Sequence, residues 1–251
     1  MLSEQDKQRY LRNIILPEIG EEGQLKLLNS KVLVIGAGGL GSAILFYLSC
    51  AGIGNIGIAD DDKVELSNLQ RQIIHNQNDL GILKVSSAQQ KIHNLNSQLK
   101  IDIYPCRIDY ENLQSIAKNY DFIVDGSDNF YTRFVINKIC HKLQKPMIYG
   151  AVKGFIGQVS IFKSYRDNNP CYACFNSNEV DKKFNLPLDE KGIIGAVAGN
   201  IGALQALNTI KEILQIGENL VGKILYHDFL NNNFRKINLK KNLSCKICND
   251  L

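Results

Sequence analysis

The sequence predicts an α/β protein whose doubly wound, Rossmann-like, mainly parallel sheet continues into an antiparallel C-terminal part with a structural zinc site. Three observations predict it. Short apolar runs alternate with longer helical patterns through the first 150 residues, as βαβ units require. A glycine-rich turn, Gly36-Ala37-Gly38-Gly39-Leu40-Gly41, joins the first such run to the helix behind it. Two C-x-x-C pairs, Cys171/Cys174 and Cys245/Cys248, stand in the second half of the chain.

The elements follow in order. Residues 1–30 form a helical lead-in. Val32-Leu33-Val34-Ile35 is a β-branched run, and residues 40–51 form the helix after the glycine turn. Ile56-Gly57-Ile58-Ala59 is the second strand and ends in Asp60-Asp61-Asp62. A helix over residues 84–95 leads to the strand Ile101-Asp102-Ile103-Tyr104. Phe122-Ile123-Val124 runs into Asp125-Gly126-Ser127-Asp128-Asn129, followed by a helix over residues 133–143, and Met147-Ile148-Tyr149 closes the parallel series. Beyond residue 150 the character changes. Residues 155–162 read as a strand, and residues 196–214 have the spacing of a buried helix whose Gly199, Gly202, Ala203 and Ala206 admit a close neighbour. Residues 223–226 and 234–239 read as two antiparallel strands. The expected organisation is a single domain, 1–251, with a nucleotide-binding half at 31–150 and a second half at 151–251 continuing the same sheet.

Composition sets the outer limits. Hydrophobic residues make up 45% of the 251 and charged residues 22%, ordinary values for a folded domain. The net charge of +4 arises from 29 basic and 25 acidic residues with the signs interspersed, so nucleic acid is not an expected partner. No apolar stretch approaches the roughly 20 residues that span a bilayer. The polar start, Met1-Leu2-Ser3-Glu4-Gln5-Asp6-Lys7, lacks the apolar core of a signal peptide. The expected location is the cytoplasm, where paired cysteines more often hold metal than form disulfides. Cys50, Cys106 and Cys140 stand in apolar contexts and are expected to be small buried residues.

Open α/β sheets bind ligands beyond the carboxyl ends of their strands. That rule selects the turn after Ile35, the acidic run after Ala59 and the segment after Val124, which should surround one ligand. Gly36, Gly38, Gly39 and Gly41 fit G-x-G-x-x-G between a strand and a helix, where glycines allow close backbone approach and the helix N-terminus favours an anion. Asp60 stands where an acidic residue receives a ribose hydroxyl. These two features alone suit a NAD-dependent oxidoreductase equally well. Ser67, Asn68, Arg71 and Lys84 then add hydroxyl, amide and two cations, which a triphosphate needs and hydride transfer does not. Asp128 is placed to coordinate Mg²⁺ between phosphates. The plainer alternatives are basic residues on a helix surface and an Asx turn at Asp125. Two C-x-x-C pairs present four thiolates to one tetrahedral Zn²⁺, a closed and therefore structural site; a redox pair is the other reading.

In this order, Arg9-Tyr10-Leu11-Arg12-Asn13-Ile14-Ile15-Leu16, Gly23-Gln24, the Gly36 to Gly41 turn, Asp60-Asp61-Asp62, the Ser67 to Gln72 stretch, Lys84, Ser127-Asp128-Asn129 and the two C-x-x-C pairs resemble the ThiF/MoeB (HesA/MoeB/ThiF) family. These are sulfur-carrier adenylyltransferases related to ubiquitin-activating enzymes, and the resemblance covers nearly the whole chain. It implies ATP-dependent adenylation of the C-terminal Gly carboxylate of a small ubiquitin-like carrier, ThiS- or MoaD-like and ending in Gly-Gly, with release of pyrophosphate, for thiamine or molybdopterin biosynthesis. The second half, 151–251, would then be carrier-binding. The resemblance places Gly39 and Asp60 on the nucleotide, Asn68, Arg71 and Lys84 against the phosphates and Asp128 on Mg²⁺, with Asp62, Ser67, Ser127 and Asn129 in the same site. Arg12 resembles an arginine contributed across a homodimer. One departure stands out: Leu188 occupies the position where many relatives carry a loop cysteine. That favours adenylation without a covalent carrier intermediate, as in the MoeB branch, whereas Ile58-Ala59-Asp60-Asp61-Asp62 looks ThiF-like. A degenerate scaffold that binds nucleotide or carrier without turnover remains the non-enzymatic alternative.

Overall fold

The structure, a computed structural model, describes residues 1–176 and 192–249. Leu188 therefore lies outside the described residues. Three short helices, α1 (Glu4–Arg9), α2 (Leu11–Ile14) and α3 (Gly20–Asn29), lead into β1 (Lys31–Ile35) and α4 (Gly39–Ala51). Then come β2 (Asn55–Ala59), α5 (Lys84–Leu95), β3 (Lys100–Tyr104), α6 (Tyr110–Ala117), β4 (Phe122–Asp125) and α7 (Phe130–Lys142). The second half comprises β5 (Met147–Lys153), β6 (Ile156–Phe162), α8 (Tyr172–Phe175), α9 (Gly195–Leu214), β7 (Lys223–Asp228) and β8 (Asn233–Asn238).

All strands join one eight-stranded sheet in the order β3-β2-β1-β4-β5-β6-β7-β8. The pairings from β3 to β5 are parallel and those from β5 to β8 antiparallel, as the sequence predicts. Strand order reverses between β1 and β4, so their carboxyl ends diverge into the crevice where such sheets bind ligands. β1 and β2 are continuous apolar runs, buried over their last four residues, because helices cover both faces of the parallel part. On one face α4, α5 and α9 enclose Val32, Val34, Ile44, Ile58 and Ile201. On the other α6 and α7 enclose Leu33, Ile35, Leu113, Ile123 and Ile136.

Helix α9 lies close against α4. A side chain at Gly202 would stand 2.4 Å from the Leu40 carbonyl, whereas one at Gly199 would meet nothing within 4 Å. The close approach expected of both thus belongs to Gly202 alone. The cysteines need a similar correction. Cys140 is buried as expected, but Cys50 is exposed and Cys106 half-buried, because Cys50 ends α4 at the surface and Cys106 follows β3 onto a cavity wall. Among the described residues no helix is long and apolar enough to cross a membrane.

Candidate functional site

A cavity of about 1020 Å³ opens beyond the carboxyl ends of β1, β2 and β4. The three segments selected from sequence all contribute to its wall: Gly36, Gly38 and Gly39; Asp60, Asp61 and Asp62; Ser127, Asp128 and Asn129. Arg71, Lys84 and Ser67 line it as well.

The glycine turn is shaped by backbone crowding. Gly36 has φ +94°, and a Cβ there would come within 2.7 Å of the Gly126 carbonyl, so the turns after β1 and β4 nest together. A Cβ on Gly41 would stand 1.9 Å from the Gly36 carbonyl, which makes Gly41 a packing glycine off the cavity wall. No side chain caps the start of α4, so its first amides remain available to an anion. The half-buried Asp60 and the buried His75 hold the turn in place. Asp60 Oδ2 accepts from the Ala37 amide at 2.8 Å while Oδ1 accepts from the Asp62 amide at 2.9 Å. His75 Nε2 donates to the Ala37 carbonyl at 3.0 Å, leaving Nδ1 to accept from Ser87 Oγ at 2.8 Å. Burial raises the Asp60 pKa, opposed by the Ala37 amide and by Lys84.

The cations are not ordinary surface groups. Lys84 is 5% exposed and its Nζ lies 2.7 Å from Asp62 Oδ2. Arg71 is half-buried, with Nη1 donating to the Ser67 carbonyl at 3.0 Å. Asn68 departs from the phosphate placement expected of it. Its side chain is buried off the cavity wall, and Oδ1 accepts from the Glu65 amide at 3.1 Å to close the short turn Leu66–Asn68.

Asp128 is exposed on the wall, and its Oδ1 meets Asn129 Nδ2 at 3.5 Å. A carboxylate so lightly engaged beside a phosphate cradle fits Mg²⁺, which is bound through one or two carboxylates together with substrate phosphates. Asn129 caps α7, its Oδ1 accepting from the Thr132 amide at 2.9 Å. The Asx turn foreseen at Asp125 also forms, with Oδ1 accepting from the Ser127 amide and hydroxyl at 3.0 and 2.6 Å.

The four paired cysteines meet at the far end of the second half. Sγ separations are 3.8 Å for Cys171–Cys174, 3.6 Å for Cys171–Cys245 and 3.5 Å for Cys174–Cys248. Four thiolates at Zn–S distances of about 2.3 Å form a tetrahedron with edges of about 3.8 Å, whereas a disulfide needs about 2.05 Å. The donor set and its spacing therefore fit zinc and not oxidation.

A model of the ThiF family matches residues 10–247. The chain belongs to the ThiF family. It is 38% identical over 251 residues to the sulfur carrier protein adenylyltransferase of Thermus thermophilus, covering 99% of this chain and 93% of that protein. It is 41% identical over 243 residues to the adenylyltransferase and sulfurtransferase MOCS3 of Culex quinquefasciatus, covering 96% of this chain but 55% of that one. The chain thus spans about half the length of that relative. Its fold matches a solved structure of E. coli MccB with ATP at a TM-score of 0.83 and 26% identity, covering 96% of this chain and 73% of that chain.

In this ThiF-family chain the structure gathers most of the residues foreseen for the site into one cavity and leaves Arg12 exposed and off its wall. Several wall residues have no motif to announce them: Arg133, Tyr149 and Gln158. His75 was equally silent, because a lone histidine carries no spacing signal. Burial lowers its pKa, and this has a consequence for stability. Below the ordinary imidazole value of about 6.5 the unfolded chain takes up a proton that the folded chain refuses, so stability falls as pH falls through that value towards the lowered one. Melting temperatures between pH 7.5 and 5.5 should therefore decline less steeply for His75→Gln than for the wild type, and equal slopes would refute the assignment.

Proposed function

We propose that the chain uses ATP to adenylate the C-terminal glycine carboxylate of a small ubiquitin-like sulfur carrier ending in Gly-Gly. One observation carries this reading: the cavity joins the phosphate cradle to the sheet of the second half. Tyr149, Ala151 and Lys153 of β5 and Ile156 and Gln158 of β6 continue the wall away from Arg71 and Lys84. Cross-strand pairing extends the row from Ala151 through Gln158 and Tyr226 to the exposed Arg235 on edge strand β8. Helix α9 packs on the opposite face, where side chains at Gly150 and Gly157 would stand 2.2 and 2.3 Å from Gln205 and Ile201. A carrier resting on this face is thereby able to lay its thin tail along β5 and β6 towards the glycine turn.

The chemistry asks for positioning and charge stabilisation more than for covalent work. A carboxylate oxygen of the carrier attacks the α-phosphorus, the bond to the bridging oxygen of the β-phosphate breaks, and pyrophosphate leaves from the acyl-adenylate. The first amides of α4, Arg71 and Lys84 face the charge that develops. Asp128 would hold Mg²⁺, which would supply charge neutralisation at the phosphates. Burial, followed by the carboxylates of Asp109 and Asp61, raises the pKa of the Cys106 thiol on the wall, so this reading gives it no nucleophilic role. A NAD-dependent oxidoreductase would leave Arg71, Lys84 and Asp128 without a task.

In this proposal the enzyme works as a cytoplasmic homodimer built from one domain, 1–251, and serves thiamine or molybdopterin biosynthesis. Arg12 reaches the neighbouring active site. Supporting the dimer, Leu11, Ile15 and Leu16 around Arg12 are 53%, 58% and 47% exposed, an apolar face for a second copy to cover. With Leu188 at the loop position, adenylation proceeds without a carrier thioester. ATP–pyrophosphate exchange should appear only with a carrier ending in Gly-Gly and vanish when its last glycine is deleted. Absence of exchange with every such carrier of the host would overturn the proposal and leave a non-catalytic scaffold.

A further inference from the structure

Asp128 is aimed by its neighbours. Ser127, just before it, is held at all three of its hydrogen-bonding groups. Its amide and hydroxyl donate to Asp125 Oδ1 at 3.0 and 2.6 Å, and its carbonyl accepts from Arg133 Nη2 at 2.9 Å. Both partners are buried, Asp125 at 0% and Arg133 at 7% exposure. Their charges face one another, Arg133 Nε lying 3.6 Å from Asp125 Oδ2. The guanidinium carbon sits 5.7 Å from the Tyr149 ring centre and 5.8 Å from that of Phe130, which restricts its plane. Gln205 of α9 fixes the strand end itself, donating from Nε2 to the Asp125 carbonyl at 2.7 Å. On the far side Asn129 is tied into the start of α7. Thus both neighbours of Asp128 are fastened to interior groups, while among the described residues its carboxylate has only the 3.5 Å contact with Asn129.

We propose that Arg133 and Asp125 are positioning residues which, through Ser127, fix the direction in which Asp128 presents its carboxylate to the cation accompanying the nucleotide. This rests on the adenylation reading only in assigning that cation to Asp128. The partners of a metal-binding group commonly alter metal affinity by about 10- to 100-fold when removed. Arg133→Lys keeps the charge but loses the planar fork, and Ser127→Ala removes a single hydroxyl grip, so the second variant tests the idea should the first fold poorly.

The experiment is calorimetric titration of a non-hydrolysable ATP analogue at a series of Mg²⁺ concentrations. In each variant the Mg²⁺ concentration that half-enhances binding should rise about tenfold or more over the wild type. In an Asp128→Asn background, where the Mg²⁺ enhancement is gone, neither substitution should weaken binding further, because coupled residues are not additive. An unchanged Mg²⁺ midpoint, or an added loss in the Asp128→Asn background, would overturn the positioning role and leave adenylation standing. A wild type that binds no analogue at any Mg²⁺ concentration would overturn both.

Discussion

Lys84→Ala is expected to lower carrier-dependent ATP–pyrophosphate exchange by about 10²- to 10³-fold while the chain stays folded. The size follows from what surrounds the ammonium. Lys84 begins α5 with its stem buried and its Nζ on Asp62, where the wall presents Asp60, Asp61 and Asp62 side by side. Removing the cation both deletes a partner for the phosphates and leaves that acidic run facing them. Asp62 is 64% exposed in its side chain, so water takes over its solvation and the loss in stability should be small. Lys84→Arg should fare little better, because a wide planar fork does not fit a buried slot shaped for a point charge. The measurement is exchange at saturating ATP and carrier, alongside circular dichroism for the fold. Activity within about tenfold of the wild type would mean that Lys84 does not face the transferring phosphate.

Zinc removal should have the largest effect on stability. Cys171 precedes α8 and Cys174 lies within it, and Tyr172 of that helix is fully buried against Phe134, Tyr149 and Phe162, while Cys245 and Cys248 lie near the C-terminal end. A metal held by the four cysteines would therefore tie the tail to an aromatic part of the core. Metal analysis is expected to give close to one Zn²⁺ per chain. A chelator, or Cys174→Ser, should lower the melting temperature by roughly 10 °C, the shift that about 3 kcal/mol produces in a domain of this size. Limited proteolysis should then cut first near Lys240 and Lys241. Burial pushes the Cys171 thiol up, so metal loss should also be promoted by acid, since protons compete for the same sulfur atoms. A fully stable chain without zinc would refute the staple.

The fold was legible in the sequence wherever burial on both faces forces an apolar run. The strands of the parallel half fall within a residue of the expected positions, apart from β5, which runs on to Lys153 because it gains β6 as an antiparallel partner. Helix α6 was not foreseen. It buries Leu113 and Ala117, with Tyr110 and Ile116 packed beside them, and its start is set by the Asp109 side chain bonding to the amides of Glu111 and Asn112, a stripe of two turns too short to stand out among the polar residues around it. In the cavity, residue types at fixed spacing after strand ends were readable: the glycines, Asp60, Arg71, Lys84 and Asp128. Orientation was not. The sequence placed Asn68 among the phosphate contacts, yet its side chain turns inward to the Glu65 amide. His75 and Arg133 were hidden for a different reason: each is distinguished by partners distant in the chain or by its place on a wall, and no periodicity records that.

The nesting of Gly36 against Gly126 carries a lesson for redesign. Main chain meets main chain there, so no exchange of side chains widens or reshapes that end of the crevice. Attempts to make this scaffold accept a different nucleotide should spare the glycine turns and work at the side chains of Cys106, Arg107 and Ile108 elsewhere on the wall. Retargeting it to a new protein tail belongs to β5 and β6, some distance from the rigid hinge-pin of glycines that every variant must inherit.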